Sequence, residues 1–217
     1  MTTAGPGSIP GRRFNDVVTR FWSVAAPVYD LPALQRWVYR PVQDEVITQL
    51  RAHGARRVAD IACGTGILAA RIHNELDTDE VYGVDMSDGM LEQARARCGR
   101  VRWLKAPAEQ LPFDDGALDA VVSTTAFHFF DQPAALGEFH RVLAPGGLVA
   151  VGTISPPDVW WLRPLSGGTN GPAHSPSPAE MRTLFTEAGL QVAAQHRVPR
   201  PAWTRGIFDL ITVGTPG

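Results

Sequence analysis

Between Arg57 and Ile154, apolar residues follow two alternating rhythms. Short runs rich in β-branched residues have the length and make-up of strands: RVADIA (57–62), EVYGVD (80–85), VRWLKA (101–106), LDAVVST (118–124) and LVAVGTI (148–154). Between them, apolar positions recur at helical spacing. One helix opens after Gly66 and ends near Leu76. A second opens at Ser87 and Asp88 and ends around Gly99. A third runs from Asp131 to Leu143 and stops at the Pro145-Gly146-Gly147 turn. Ser and Asp at these openings supply acceptors for the first free backbone N–H groups. Strand and helix in alternation predict an α/β fold, with a parallel sheet covered by helices on both faces.

The flanks read differently. Residues 1–11 are rich in Gly, Pro, Ser and Thr, so residues 1–12 are expected to be flexible. Helices are predicted over 13–26 and 33–53, around Pro27 and Pro32, and residues 13–54 read as a helical extension before the sheet. In the second helix Leu34, Trp37, Val38, Val42, Val46, Ile47 and Leu50 fall on one stripe. After the fifth strand, residues 155–178 carry many Pro, Gly and Ser and read as a loop. A helix over 179–188 ends at Gly189, and strands follow at 190–198 and within 206–214. The short link between these two predicts an antiparallel hairpin at the sheet edge.

Composition narrows the function classes. The 217 residues are 44% hydrophobic and 19% charged, with a formal net charge of -2. That balance fits one ordinary domain and gives no clustered cationic surface for a nucleic-acid backbone. Arg95, Arg97, Arg100 and Arg102 gather where a helix ends and complement its dipole. No run approaches 18 uninterrupted apolar residues, and residues 1–14 lack the apolar core of a secretory signal, so a cytoplasmic location without integral membrane association is expected. Cys63 and Cys98 are the two cysteines, which leaves no disulfide framework. The six histidines show no ligand spacing with Asp, Glu or Cys, so no metal is expected. The oligomeric state is left open.

The sharpest motif is Asp60-Ile61-Ala62-Cys63-Gly64-Thr65-Gly66, which closes one strand and opens one helix. Gly64 and Gly66 permit a tight turn and a close backbone approach to a ligand beyond the strand ends. Asp85 ends the next strand, where a carboxylate can accept from both ribose hydroxyls of an adenosine group, and Met86 beside it can lie against adenine. Gly64-Thr65-Gly66-Ile67-Leu68-Ala69 also satisfies the dinucleotide fingerprint G-x-G-x-x-G/A, so a nicotinamide oxidoreductase is an alternative. Asp60 weighs against it, because a carboxylate there repels a pyrophosphate and attracts an ammonium.

Together with Arg141-Val142-Leu143-Ala144-Pro145-Gly146-Gly147, these features resemble the class I S-adenosylmethionine-dependent methyltransferases. Within that class the chain is similar to the small-molecule group that includes ubiquinone and menaquinone biosynthesis methyltransferases. The resemblance covers residues 55–152 most closely, and Ala25-Ala26-Pro27-Val28-Tyr29-Asp30 resembles the A-x-x-Y-D segment that precedes the domain. It implies a Rossmann-like, seven-stranded, mostly parallel sheet with an antiparallel edge hairpin, filling residues 55–217. It also implies S-adenosylmethionine as cofactor, S-adenosylhomocysteine as product and a small organic acceptor. A non-catalytic member that binds the cofactor or a partner is a further alternative.

The resemblance assigns roles residue by residue. Ala62, Gly64 and Gly66 hold the methionine end, Asp60 acts on its ammonium, Asp85 holds the ribose and Met86 packs on adenine. Ala108 and Glu109 belong to the adenine loop, Thr124 to the methionine side, and Tyr29, in the segment before the domain, is a further cofactor-binding residue. The chain departs from the pattern twice. Ala62 replaces a glycine. Pro107 replaces an acid, removing a charged acceptor worth about 1.5–3 kcal/mol when buried, and Glu109 or a carbonyl is left to stand in. His128 lies near the methyl group, as a general base or as lining of the pocket. Trp22, Trp160 and Trp161, with His128, are the candidate acceptor contacts, and their aromatic character suits an apolar or aromatic acceptor.

Overall fold

The computed structural model describes residues 35–155, 174–204 and 206–217. The helix expected over 13–26 and the candidates Trp22, Tyr29, Trp160 and Trp161 lie outside these described residues. Seven strands form one sheet: β1 (Arg57–Ile61), β2 (Glu80–Asp85), β3 (Arg102–Lys105), β4 (Leu118–Thr124), β5 (Leu143–Ile154), β6 (Leu190–Arg197) and β7 (Asp209–Pro216). The helices are α1 (Arg40–His53), α2 (Ile67–Glu75), α3 (Asp88–Arg97), α4 (Gln132–Val142) and α5 (Pro178–Glu187). A π-helical turn, Gln35–Tyr39, precedes α1.

The strand order is β3-β2-β1-β4-β5-β7-β6. Strands β1 to β5 pair in parallel, and β7 runs antiparallel to both β5 and β6. The expected hairpin is therefore present, and it is its second strand that joins the sheet while β6 forms the edge. Alternate residues of each strand face opposite layers. Ala120, Val122, Ala150, Ile211 and Val213 pack with Val42, Val46, Ile47 and Leu50 of α1 and with Leu68, Ala69 and Ile72 of α2. Val121, Val149 and Val151 pack with Leu136 and Phe139 of α4 and with Met181 and Phe185 of α5. Phe139 is fully buried, so Phe139→Ala is expected to cost about 3–5 kcal/mol.

Local chemistry sets the helix starts. Ser87 accepts from the Met90 N–H, Asp131 accepts from the Ala134 N–H, and Ser177 with Glu180 forms a reciprocal capping box on α5. Two boundaries differ from the sequence reading. Strand β5 begins at Leu143, ahead of Pro145-Gly146-Gly147. Its pairing with β4 slips between Leu118 and Ala120, so the Pro-Gly-Gly segment bulges within the strand. The single helix expected over 33–53 is split, because Pro41 occupies the first turn of α1 and the preceding turn is π-helical. The changed winding takes Trp37 off the buried stripe; it is 37% exposed and meets Trp203 edge-on.

Candidate functional site

At the carboxyl end of β1 the chain turns sharply through Ala62, Gly64 and Gly66, with φ of 54°, 55° and 77°. The loop is tied to β2: Cys63 donates its N–H to the Val84 carbonyl at 3.0 Å, and the Gly64 N–H donates to Asp85 Oδ2 at 2.9 Å. Arg97 of α3 donates to the Thr65 carbonyl at 2.8 Å. Gly66 has a different task from the one its spacing suggested. A Cβ there would lie 2.3 Å from the Trp103 ring, and one at Gly83 would lie 2.2 Å from it. The two glycines make room for an indole between loop, sheet and α3, whereas Ala62 and Gly64 are the loop residues that face the cavity.

That cavity has a volume of about 340 Å3, within the size range of small-molecule sites. Ala62 and Gly64 form one part of its wall and Asp85, Met86, Ser87 and Met90 another. The segment Ala106–Glu109 after β3 closes a third side, and Thr124–Ala126 with His128, Phe129 and Phe130 a fourth. Val38, Tyr39 and Ile154 complete it. The cavity therefore opens across the carboxyl ends of the parallel strands, where doubly wound sheets place ligands.

The electrostatics on this wall are incomplete in a directed way. Asp85 accepts from Gly64 through Oδ2 and from the Ser87 N–H through Oδ1 at 2.8 Å. Burial still holds its pKa above the ordinary aspartate value, against the lowering effect of the N–H groups of Ser87, Gly64 and Met86. Asp60 is 2% exposed and sits behind the loop rather than on the cavity wall. Burial first, and the Asp85 charge second, push its pKa well up, while the Ala69 N–H of α2 lowers it. Among the described residues its Oδ2 has no hydrogen-bond partner, and neither have Ser123 Oγ or His128 Nδ1. Buried polar atoms are normally paired, so a ligand with donors and a cationic group would complete this end of the sheet.

Comparison with known proteins shows what the chain is similar to. Residues 58–147 match a family described as a methyltransferase domain. Over that stretch the chain is similar to methyltransferase domains. It is 41% identical over 148 residues to a demethylmenaquinone methyltransferase of Thermus thermophilus, covering 63% of this chain and 65% of that protein. It is 32% identical over 170 residues to a malonyl-[acyl-carrier protein] O-methyltransferase of Dechloromonas aromatica, covering 76% of this chain and 62% of that one. The matched region thus spans somewhat under two thirds of these relatives' own length. Among solved structures, magnesium protoporphyrin IX methyltransferase of Synechocystis with bound S-adenosylhomocysteine superposes with a TM-score of 0.72 at 16% identity, over 94% of this chain and 100% of that one. That likeness shows the Rossmann-like methyltransferase fold.

The fold brings Ala62, Gly64, Asp85, Met86, Ala108, Glu109, Thr124 and His128 to one cavity. Asp60 and Gly66 stand behind that surface. Pro107 lines the cavity, and its carbonyl accepts from the Gln110 N–H at 3.2 Å. Glu109 Oε1 accepts from the Asp131 N–H at 2.9 Å, which fixes the side chain beside the space that an acid at position 107 would serve. Residues the sequence reading did not single out are Val38, Tyr39, Met90, Thr125, Phe129, Phe130 and Ile154. For Tyr39 a usable signal existed: Pro41 marks a helix start, which puts Tyr39 just outside it. Thr125, a β-branched residue at φ 55°, had none.

Proposed function

We propose that this chain is an S-adenosylmethionine-dependent methyltransferase acting on a small, apolar or aromatic organic acceptor. The observation that carries the reading is the shared wall of Ala62, Gly64 and Asp85 at the ends of β1 and β2, with the orphaned Asp60 Oδ2 beneath it. S-adenosylmethionine supplies a methyl group already activated on a sulfonium. Asp85 keeps lone pairs free beyond those engaged by Gly64 and Ser87, and these accept from ribose hydroxyls. The Asp85 charge bears on the buried Asp60, and an ammonium near the loop relieves it. Met86 and Pro107 offer apolar surface to adenine, with the Glu109 carboxylate lining the same cavity.

The acceptor side is apolar. Phe129, Phe130 and Ile154 line it, and an organic acceptor accords with the similarity to a demethylmenaquinone methyltransferase and a malonyl-[acyl-carrier protein] O-methyltransferase. His128 stands here with Nδ1 unpaired, and burial holds its pKa down at about 4. The imidazole is therefore neutral through the physiological range. It orients a donor on the acceptor, and as a base it is weak. His128→Asn is expected to lower turnover without introducing a pH inflection between pH 6 and 9; an inflection near 6.5 that the variant abolishes would contradict this. Among the described residues no helix is long and apolar enough to cross a membrane, and we place the enzyme in the cytoplasm.

Calorimetric titration with S-adenosylhomocysteine and with NADH tests the cofactor. Saturable binding of the first alone is expected, and binding of NADH alone would sink the proposal. Labelled methyl transfer into a metabolite extract then identifies the acceptor and separates an enzyme from a protein that only binds.

A further inference from the structure

Arg200 lies in the link between β6 and β7, far in sequence from the glycine loop, yet its side chain is 2% exposed. Its Nε donates to Asp209 Oδ2 at 3.0 Å, and Nη2 closes a second bond to the same carboxylate. Asp209, the first residue of β7, has a side chain 1% exposed. The remaining donors go elsewhere. Nη1 donates to the Trp37 carbonyl at 2.7 Å, and Nη2 to the Val38 carbonyl at 2.5 Å, across 162 residues of sequence.

These carbonyls belong to the π-helical turn Gln35–Tyr39, whose residues Val38 and Tyr39 form part of the cavity wall. Asp209 in turn pairs in register with Ile154, another wall residue. One guanidinium therefore ties two separated parts of the same wall. A lysine would neutralise Asp209 as well; the planar fork is what reaches both carbonyls at once. Two neighbouring contacts join the turn and the helix after it to the β6–β7 link and to β6. Trp37 and Trp203 meet edge-on with ring centres 5.4 Å apart, and His196 Nε2 lies 3.2 Å from Glu45 Oε1 of α1.

We propose that Arg200 is a positioning residue for the cofactor cavity: it fixes the π-helical turn so that Val38 and Tyr39 stand in place against the bound cofactor. The inference rests on the reading of that cavity given above. Without the fork, the turn must be ordered at the moment of binding, which weakens affinity in a protein that is otherwise folded.

The test uses Arg200→Lys and a double variant, Arg200→Met with Asp209→Leu, which replaces the buried pair by apolar side chains of similar size. A buried pair exchanged in this way leaves folding nearly unaffected, whereas removing one partner does not. Melting temperature, S-adenosylhomocysteine affinity by calorimetry and amide exchange over residues 37–43 are measured on each. The expected result is a melting temperature close to that of the unmodified protein, affinity lower by about tenfold and faster exchange in the turn. If Arg200→Lys melts far lower, the double variant decides. Unchanged affinity in the folded double variant overturns the proposal, since a purely structural pair moves the melting temperature alone. Failure of the unmodified protein to bind S-adenosylhomocysteine overturns the cavity reading instead, and the proposal with it.

Discussion

At the amino end of β1, Asp119 accepts from the Arg56 N–H at 3.2 Å and the Arg57 N–H at 2.8 Å, and pairs with the Arg57 guanidinium at 2.7 Å. At the carboxyl end of the same strand, Asp60 leaves Oδ2 without a partner among the described residues. The two carboxyl groups titrate in opposite directions. Burial alone raises Asp119, but its bonds to Arg57 and Arg56 bring it below the ordinary value; burial and Asp85 carry Asp60 far above it. The amino end also gathers Arg56 between Asp77 and Asp79. The carboxyl end instead gathers both non-glycine residues with left-handed backbone among those described, Ala62 and Thr125. One end of the sheet is complete in itself and serves stability. The other is left under strain and unpaired, as binding sites are.

That contrast is open to attack from either side. Asp119→Ala is expected to have the largest effect, lowering stability by about 2–3 kcal/mol in chemical denaturation because two N–H groups and a guanidinium lose their acceptor. It should leave S-adenosylhomocysteine affinity unchanged. Asp85→Ala should do the reverse, weakening that affinity by about 2 kcal/mol with little loss of stability; equal affinity would remove the ribose assignment. Asp60→Asn probes the sign of the pH dependence. A carboxyl whose pKa is raised on folding contributes stability that is complete below about pH 4 and is lost as pH climbs through the folded value. The unliganded Asn variant should therefore be the more stable protein at pH 8, with the gap closing toward pH 4, and a gap independent of pH would contradict the burial of Asp60. Ala62→Gly should have the smallest effect. Relief of the left-handed strain, about 1–2 kcal/mol, is offset in part by the extra freedom of glycine when unfolded, for a net gain under about 1 kcal/mol in melting experiments.

What the sequence disclosed follows the range of the interactions involved. The strands β1 to β5, the capped helix starts and the grouping of Ala62, Gly64 and Asp85 are set by neighbours close in the chain, and periodicity and spacing read them well. The place of β7 between β5 and β6 is not local, since alternation gives element type and not strand order. Trp37 was misplaced on the buried stripe because the winding changes ahead of Pro41. Gly66 was read as ligand-facing, yet its missing Cβ accommodates Trp103, a neighbour 37 positions away that spacing cannot reveal. Val38 and Tyr39 join the cavity through an arginine 162 residues on from Val38, and no motif spans such a separation.

Because β7 is interior while β6 forms the rim, residues 209–216 are a wedge rather than a fringe. A ribosome-bound chain that has not yet released them presents the β5 backbone as a bare row of donors and acceptors, with the apolar seats of Ile211 and Val213 vacant beside it. Such a nascent intermediate invites strand pairing with another copy, so shortening the gene before Asp209 is expected to yield insoluble aggregate rather than a slightly loosened protein.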